Sequence, residues 1–188
     1  MEPASQVVTL TWVEAFWLGY VDASYDQMEE CYKRVLGFYH TMQKRLPFFR
    51  VWNRSYELRL LTALIAQSTG TQRRRWLARL RRIPAKLMRE NWDHATAFAL
   101  QAEATLALVR SETRVAADCL ERSARLFEQN GGRLYSAANR YWSARIGGDR
   151  AKLESTSEFI RSLNVAHVGR MAHAHAPGLA KLLAELGS

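Results

Sequence analysis

Apolar residues recur at steps of three and four along nearly the whole chain, and this spacing leaves little room for anything but helices. Trp92, Ala95, Ala99, Ala102, Leu106 and Val109 fall on one side of a single helix. Leu153, Thr156, Ile160 and Leu163 repeat the pattern, as do Met28, Cys31, Val35, Phe38 or Tyr39, Met42 and Leu46, and before them Leu10, Val13, Trp17 and Tyr20. Only 4 Pro and 10 Gly occur in 188 residues, too few for a sheet protein with many tight turns. No strand is expected.

The interruptions are short and polar: Asp22-Ala23-Ser24, Pro47, Ser68-Thr69-Gly70, Glu90-Asn91, Ser111-Glu112-Thr113, Gly131-Gly132 and Gly147-Gly148-Asp149. Each reads as a helix stop or an N-cap. Helices are predicted near 7–21, 25–46, 50–68, 71–89, 92–110, 113–129, 133–146, 150–163 and 167–176, with a terminal piece over 179–186. Turns at Asp22, Thr69, Glu112 and Gly148 lie roughly forty residues apart, the rhythm of stacked antiparallel helix hairpins. Small residues at Ala102, Ala104, Ala116, Ala137 and Ala138 alternate with the bulk of Tyr135, Tyr141 and Trp142, as tetratricopeptide-type packing requires, although the period is longer than the strict consensus. The expected fold is therefore all-α, a tetratricopeptide-like array of antiparallel helix hairpins (an α-solenoid) in a single domain over 1–188. Divergent hairpins occupy 1–89, and the more regular repeats with a C-terminal cap occupy 90–188.

With 48% hydrophobic and 24% charged residues the chain can bury a core, which excludes wholesale disorder. Cys31 and Cys119 each sit inside an apolar helical pattern and read as small buried hydrophobes; no paired spacing suggests zinc, and no cofactor is expected. A reducing compartment, the cytoplasm, is the expected location. The first residues lack a positive n-region, and the apolar stretch from Val7 to Val21 is interrupted by Glu14 and too short to span a bilayer, so neither signal peptide nor membrane anchor is expected. The net charge of +9 is concentrated: between Lys44 and Glu90 there are 13 Lys and Arg against Glu57 and Glu90, and the rest of the chain is close to neutral.

The run Gly131-Gly-Arg-Leu-Tyr-Ser-Ala-Ala-Asn-Arg140, the Gly147-Gly148 turn, Arg170-Met171 and Ala176-Pro177-Gly178 resemble the C-terminal helical-repeat tail of bacterial serine/threonine kinases that carry an AAA-type ATPase module. In that family an aromatic precedes a Gly-hydrophobic turn and an Asn-Pro-x-Arg-Met start; Phe159, Asn164, Val165, His167, Val168, Arg170 and Met171 take those spacings here. Asn164 replaces the usual Gly, which Asn can do because it tolerates a left-handed cap, and Val168 replaces the Pro. The resemblance spans about residues 90–180 and implies a regulatory or interaction tail. It leaves open whether Met1 is a true start or the chain is the end of a longer one. The catalytic parts are missing from these residues: there is no phosphate loop ending in Gly-Lys-Ser/Thr, no His-Arg-Asp loop and no Asp-Phe-Gly.

The basic segment is the strongest anomaly. Trp76, Leu80, Ile83 and Leu87 form an apolar stripe, and Arg73, Arg74, Arg75, Arg79, Arg81, Arg82, Lys86 and Arg89 surround it. A solvated face is the plain explanation, since Arg covers apolar surface with its stem while its head stays wet. An acidic protein surface, lipid head groups, or the backbone of RNA or DNA are the functional alternatives. His167, His173 and His175 do not share a helix face and no acid or thiol completes a ligand set, so they are expected at the surface or in caps. Glu29, Glu30, Glu121, Glu154 and Glu158 read as solubilising acids, and no Gly-x-Ser-x-Gly elbow is present.

Trp12 and Phe16 flank the Leu10, Val13, Trp17, Tyr20 stripe and make the first helix apolar over a broad arc, a candidate contact for something outside the chain. Helical phase points Tyr135, Asn139, Arg140 and Trp142 toward a groove formed by successive first helices, where a peptide or a neighbouring kinase/ATPase domain would bind. The expected function is thus a non-catalytic protein-protein interaction or regulatory module, not an enzyme. The alternative is a nucleic-acid-binding helical domain using residues 73–89.

Overall fold

The computed structural model of the protein describes residues 4–38 and 46–187, with side chains described over 10–37 and 46–187. Tyr39, Met42 and Lys44, expected on the second helix or in the basic stretch, lie outside the described residues, as do Met1 and the side chain of Phe38. Among the described residues the fold is all-α.

Helices α1 (Ala4–Tyr20) and α2 (Tyr25–Phe38) meet at a tight turn where Asp22 takes φ +54°, the left-handed conformation that ends a helix. Ser24 then opens α2 with a capping box: its Oγ accepts from the Gln27 N–H at 3.5 Å, and Gln27 Oε1 accepts from the Ser24 N–H at 3.1 Å. Helix α3 (Pro47–Gln67) begins on Pro47, whose missing N–H is harmless in a first turn. Every residue from Glu57 to Ala66 is buried, so α3 is covered on all sides. It is packed by α1, α2 and four of the helices that follow.

The single helix expected over 71–89 is broken in two, α4 (Gly70–Leu80) and α5 (Ile83–Met88). Pro84 is the cause: it has no N–H to give the carbonyl of Leu80, and its ring would collide with that carbonyl in a continuous helix. The stripe Trp76, Leu80, Ile83, Leu87 nevertheless stays in phase across the break and is fully buried.

Helices α6 (Asp93–Val109), α7 (Thr113–Gln129), α8 (Arg133–Gly147) and α9 (Arg150–Ser162) follow with connections of a few residues, each packed on the one before. Ala102, Ala104, Ala116, Ala137 and Ala138 are all buried between them. The stops are left-handed residues, and they include non-glycines: Asn91, Ser111 and Asn164 all have φ between +49° and +62°. Asn164 thus adopts the cap conformation that its sequence position called for.

The last two helices, α10 (Val168–His175) and α11 (Leu179–Ala184), do not extend this row. Helix α10 packs on α1 as well as on α8 and α9, and α11 packs on α3 and α6. These contacts join segments far apart in the chain, beyond the nearest-neighbour contacts of an open repeat array. The turn between them is tight enough to demand glycine: Gly178 has φ +90°, and a Cβ there would lie 2.7 Å from the carbonyl oxygen of Thr62.

Candidate functional site

The groove residues expected from helical phase are engaged inside the molecule. Asn139 is buried in a polar relay across three helices: Gln101 Nε2 donates to Asn139 Oδ1 at 2.7 Å, Asn139 Nδ2 donates to Ser123 Oγ at 2.9 Å, and Ser123 Oγ donates to the Ala97 carbonyl at 2.8 Å. Trp142 is also buried, its Nε1 donating to the Ala172 carbonyl at 2.8 Å. Arg140 is half-buried and donates to Glu128 at 3.1 Å, with Glu121 3.7 Å away; that pairing holds the Glu128 carboxyl below its usual range. Tyr135 is stacked on Phe127 and meets His175 edge-on, with ring centroids 4.6 Å apart in the second pair. All four therefore have intramolecular partners.

Tyr135 belongs to a feature that helical phase does not show. Arg59, only 2% exposed, lies with its guanidinium over the rings of Tyr56, Tyr135 and Phe16 at 4.9, 5.3 and 5.7 Å. Its Nη2 is 3.4 Å from His175 Nδ1, while Nε and Nη1 have no hydrogen-bond partner. Aromatic faces here take the place that a carboxylate normally occupies beside a buried cation. The sequence signal is a lone Arg in the apolar run 58–66, and it does not identify the rings. His175 is accordingly not a surface histidine but a buried one, a correction that follows from α10 folding back onto α1 and α8. His173 is half-buried, 3.2 Å from Asp22 Oδ1, and His167 is exposed at the start of α10.

The basic segment divides into two groups. Arg73 is half-buried and pairs with Glu185 at 2.8 Å. Arg79 donates to Tyr32 Oη at 3.2 Å and lies over the Trp76 ring; burial first, then the nearby Glu57, pushes the Tyr32 phenol up to about 12. Arg74, Arg75, Arg81, Arg82, Lys86 and Arg89 are exposed, and among the described residues none of them meets a carboxylate. The neighbouring acid, Glu90, is taken by Arg50, which grips it through Nε at 2.9 Å and Nη2 at 2.6 Å.

On α1 the outcome reverses the expected orientation. Thr11, Ala15 and Leu18 are buried, and Trp12 turns inward to donate from Nε1 to Asn53. Leu10, Val13, Trp17 and Val21 instead form an exposed line along the outer face, 45–62% accessible. Glu14, beside the line, is paired with Arg34 of α2. A helix between two apolar faces buries whichever side the rest of the fold covers, and α2, α3 and α10 cover the Thr11, Ala15, Leu18 side.

Cys31 and Cys119 are buried as expected, and burial pushes the Cys31 thiol up to about 11. Among the described residues no group of three or more His, Cys, Asp or Glu is gathered as a metal site would need. No described helix is long and apolar enough to cross a membrane. Comparison with known proteins returns no matching family model, no curated protein and no solved structure.

Proposed function

We propose that the protein is a non-catalytic protein-interaction or regulatory module, a tetratricopeptide-like helical array that docks a partner protein along the outer face of α1. The observation that carries this reading is the exposed line Leu10, Val13, Trp17, Val21. Its spacing of three, four and four is that of a helix-packing ridge, and a large exposed aromatic at its centre is the residue type that anchors interfaces. A partner helix laid along this ridge would bury it. The resemblance of residues 90–180 to kinase/ATPase tails supplies the class of partner: a kinase or ATPase domain of the same cytoplasmic signalling system.

The test is reconstitution with a purified kinase or ATPase domain encoded beside this chain. Trp17→Ser with Val13→Ser removes the ridge without touching the core. Loss of at least tenfold in affinity by calorimetry, at an unchanged unfolding midpoint, supports the docking face. Equal binding by the double variant overturns it. A concentration-dependent dimer in light scattering that the double variant abolishes would assign the face to a second copy instead.

A second reading rests on Arg74, Arg75, Arg81, Arg82, Lys86 and Arg89, exposed together on α4 and α5 with no carboxylate offsetting them among the described residues. Such a face suits the backbone of a nucleic acid. It requires binding to a labelled oligonucleotide that weakens steeply with added salt, and that is lost when Arg74, Arg81, Arg82 and Arg89 are changed to Gln.

A further inference from the structure

A cleft of about 470 Å³ opens between α1, α8 and α10, within the size range of small-molecule sites. Two exposed guanidinium groups line it, Arg145 from α8 and Arg170 from the first turn of α10, and among the described residues neither meets a carboxylate. Both are held against the cleft's own aromatic residues, Arg145 5.3 Å over Trp142 and Arg170 6.0 Å over Tyr20. A guanidinium drawn to a ring face in this way still has N–H groups to offer an acceptor.

The start of α10 borders the same cleft. Gly169 lies in the cleft wall, and a Cβ added to it would meet nothing closer than Tyr141 Oη at 3.7 Å. Packing therefore does not require glycine at this position. What glycine leaves is bare backbone in a first helical turn, where N–H groups have no acceptor within the helix and the dipole favours negative charge. The carboxylate in the cleft, Asp22, is engaged by His173 at 3.2 Å. Val21 and Ala180 add apolar wall beside the charged end.

We propose that this cleft binds a phosphate monoester, its oxygens held by Arg145, Arg170 and the N–H groups at the start of α10, with the organic group against Tyr20 and Val21. Two guanidinium groups and a helix N-terminus present donors from more than one side, a set that a tetrahedral dianion fills better than a planar carboxylate does. The phosphate comes either from a phosphorylated side chain of a protein or from a free small molecule. The cleft meets the docking ridge on α1 at Val21, and Val13, farther along the ridge, does not line it, so Val13→Ser is expected to leave phosphate affinity unchanged.

The experiment is titration of the full chain by calorimetry with phenyl phosphate and with a short phosphoserine peptide, using acetate and sulfate as competing anions. Saturable binding is expected, weakened about tenfold by either Arg145→Gln or Arg170→Gln and several-fold by Gly169→Ala, at unchanged unfolding midpoints. A peptide bound at least tenfold more tightly than phenyl phosphate assigns the site to a phosphorylated partner, and the reverse order assigns it to a small molecule. The proposal is overturned by the absence of saturable binding, by arginine variants that bind like the wild type, or by acetate competing as well as phosphate.

Discussion

Arg59 and His175 lie 116 residues apart in sequence, yet Nη2 of one is 3.4 Å from Nδ1 of the other inside a shell of Phe16, Tyr56 and Tyr135. Burial first, and the Arg59 charge second, hold the His175 imidazole well below its ordinary 6.5. The unfolded chain therefore takes up a proton below about pH 6.5 that the folded chain refuses. Stability due to this residue is complete above that pH and falls as pH drops, by about 1.4 kcal/mol per pH unit until the native ring is also protonated. Urea unfolding of the wild type and of His175→Gln between pH 8 and pH 5 measures the difference. His94, also held low by burial, is common to both chains and cancels. Parallel pH profiles would refute the assignment.

The aromatic shell also sets what replaces Arg59. A guanidinium that never loses its charge is costly to bury without a carboxylate, and a long apolar side chain fills nearly the same volume. Arg59→Met is expected to change stability by less than about 1 kcal/mol or to raise it, whereas Arg59→Ala leaves a cavity and costs about 2–5 kcal/mol. The Met variant should in addition lose less stability on acidification, since one of the two causes of the depressed His175 value is gone and its native ring takes up a proton at a higher pH. Chemical denaturation at pH 7.5 and pH 5.5 reads both effects.

The relay Gln101–Asn139–Ser123 ties α6, α7 and α8 together without contact with solvent. Truncating its middle member orphans the buried Gln101 amide donor and takes away the donor to the Ser123 hydroxyl, which keeps its bond to the Ala97 carbonyl, so Asn139→Ala is expected to cost about 2–4 kcal/mol. Asn139→Ala combined with Gln101→Ala should cost less than the sum of the single changes, because the second removes a group the first had left unpaired. An additive double-mutant cycle would show that the relay is not a coupled unit.

Much of the fold can be read from local chemistry, and the limits are equally physical. The stops at Gly131, Gly148 and Asn164 are legible because a left-handed residue ends a helix whatever surrounds it. The stripe Trp76, Leu80, Ile83, Leu87 is legible because its other side is so strongly charged. Periodicity fails on α1, which is apolar on two sides, since spacing alone cannot say which side the distant helix α10 will cover. It also fails for Asn139 and Trp142: helical phase gives the face of a residue but not what packs on that face. The cleft beside Arg145 and Arg170 is invisible for the same reason, being formed by helices from both ends of the chain.

Closure of those two ends depends on one backbone position. Gly178 carries φ +90°, and a side chain there would meet Thr62 O at 2.7 Å and Ala66 Cβ at 2.9 Å, both on the central helix α3. Gly178→Ala thus imposes an unfavourable dihedral and also a collision that only a shift of α11 away from α3 can relieve. Gly148 separates the two effects, because it has φ +71° with nothing within 4 Å of an added Cβ. Gly148→Ala is expected to cost about 1 kcal/mol, the dihedral alone, and Gly178→Ala about 2–4 kcal/mol. Thermal unfolding should show the second variant melting roughly 5–15 °C lower than the wild type. Amide exchange should also rise in α10 and α11 before it rises in α6 and α7, because the strain acts on the contacts that bring the C-terminal helices back to α1 and α3. Equal destabilisation by the two substitutions would mean that the approach of Gly178 to α3 is looser than 2.7 Å implies.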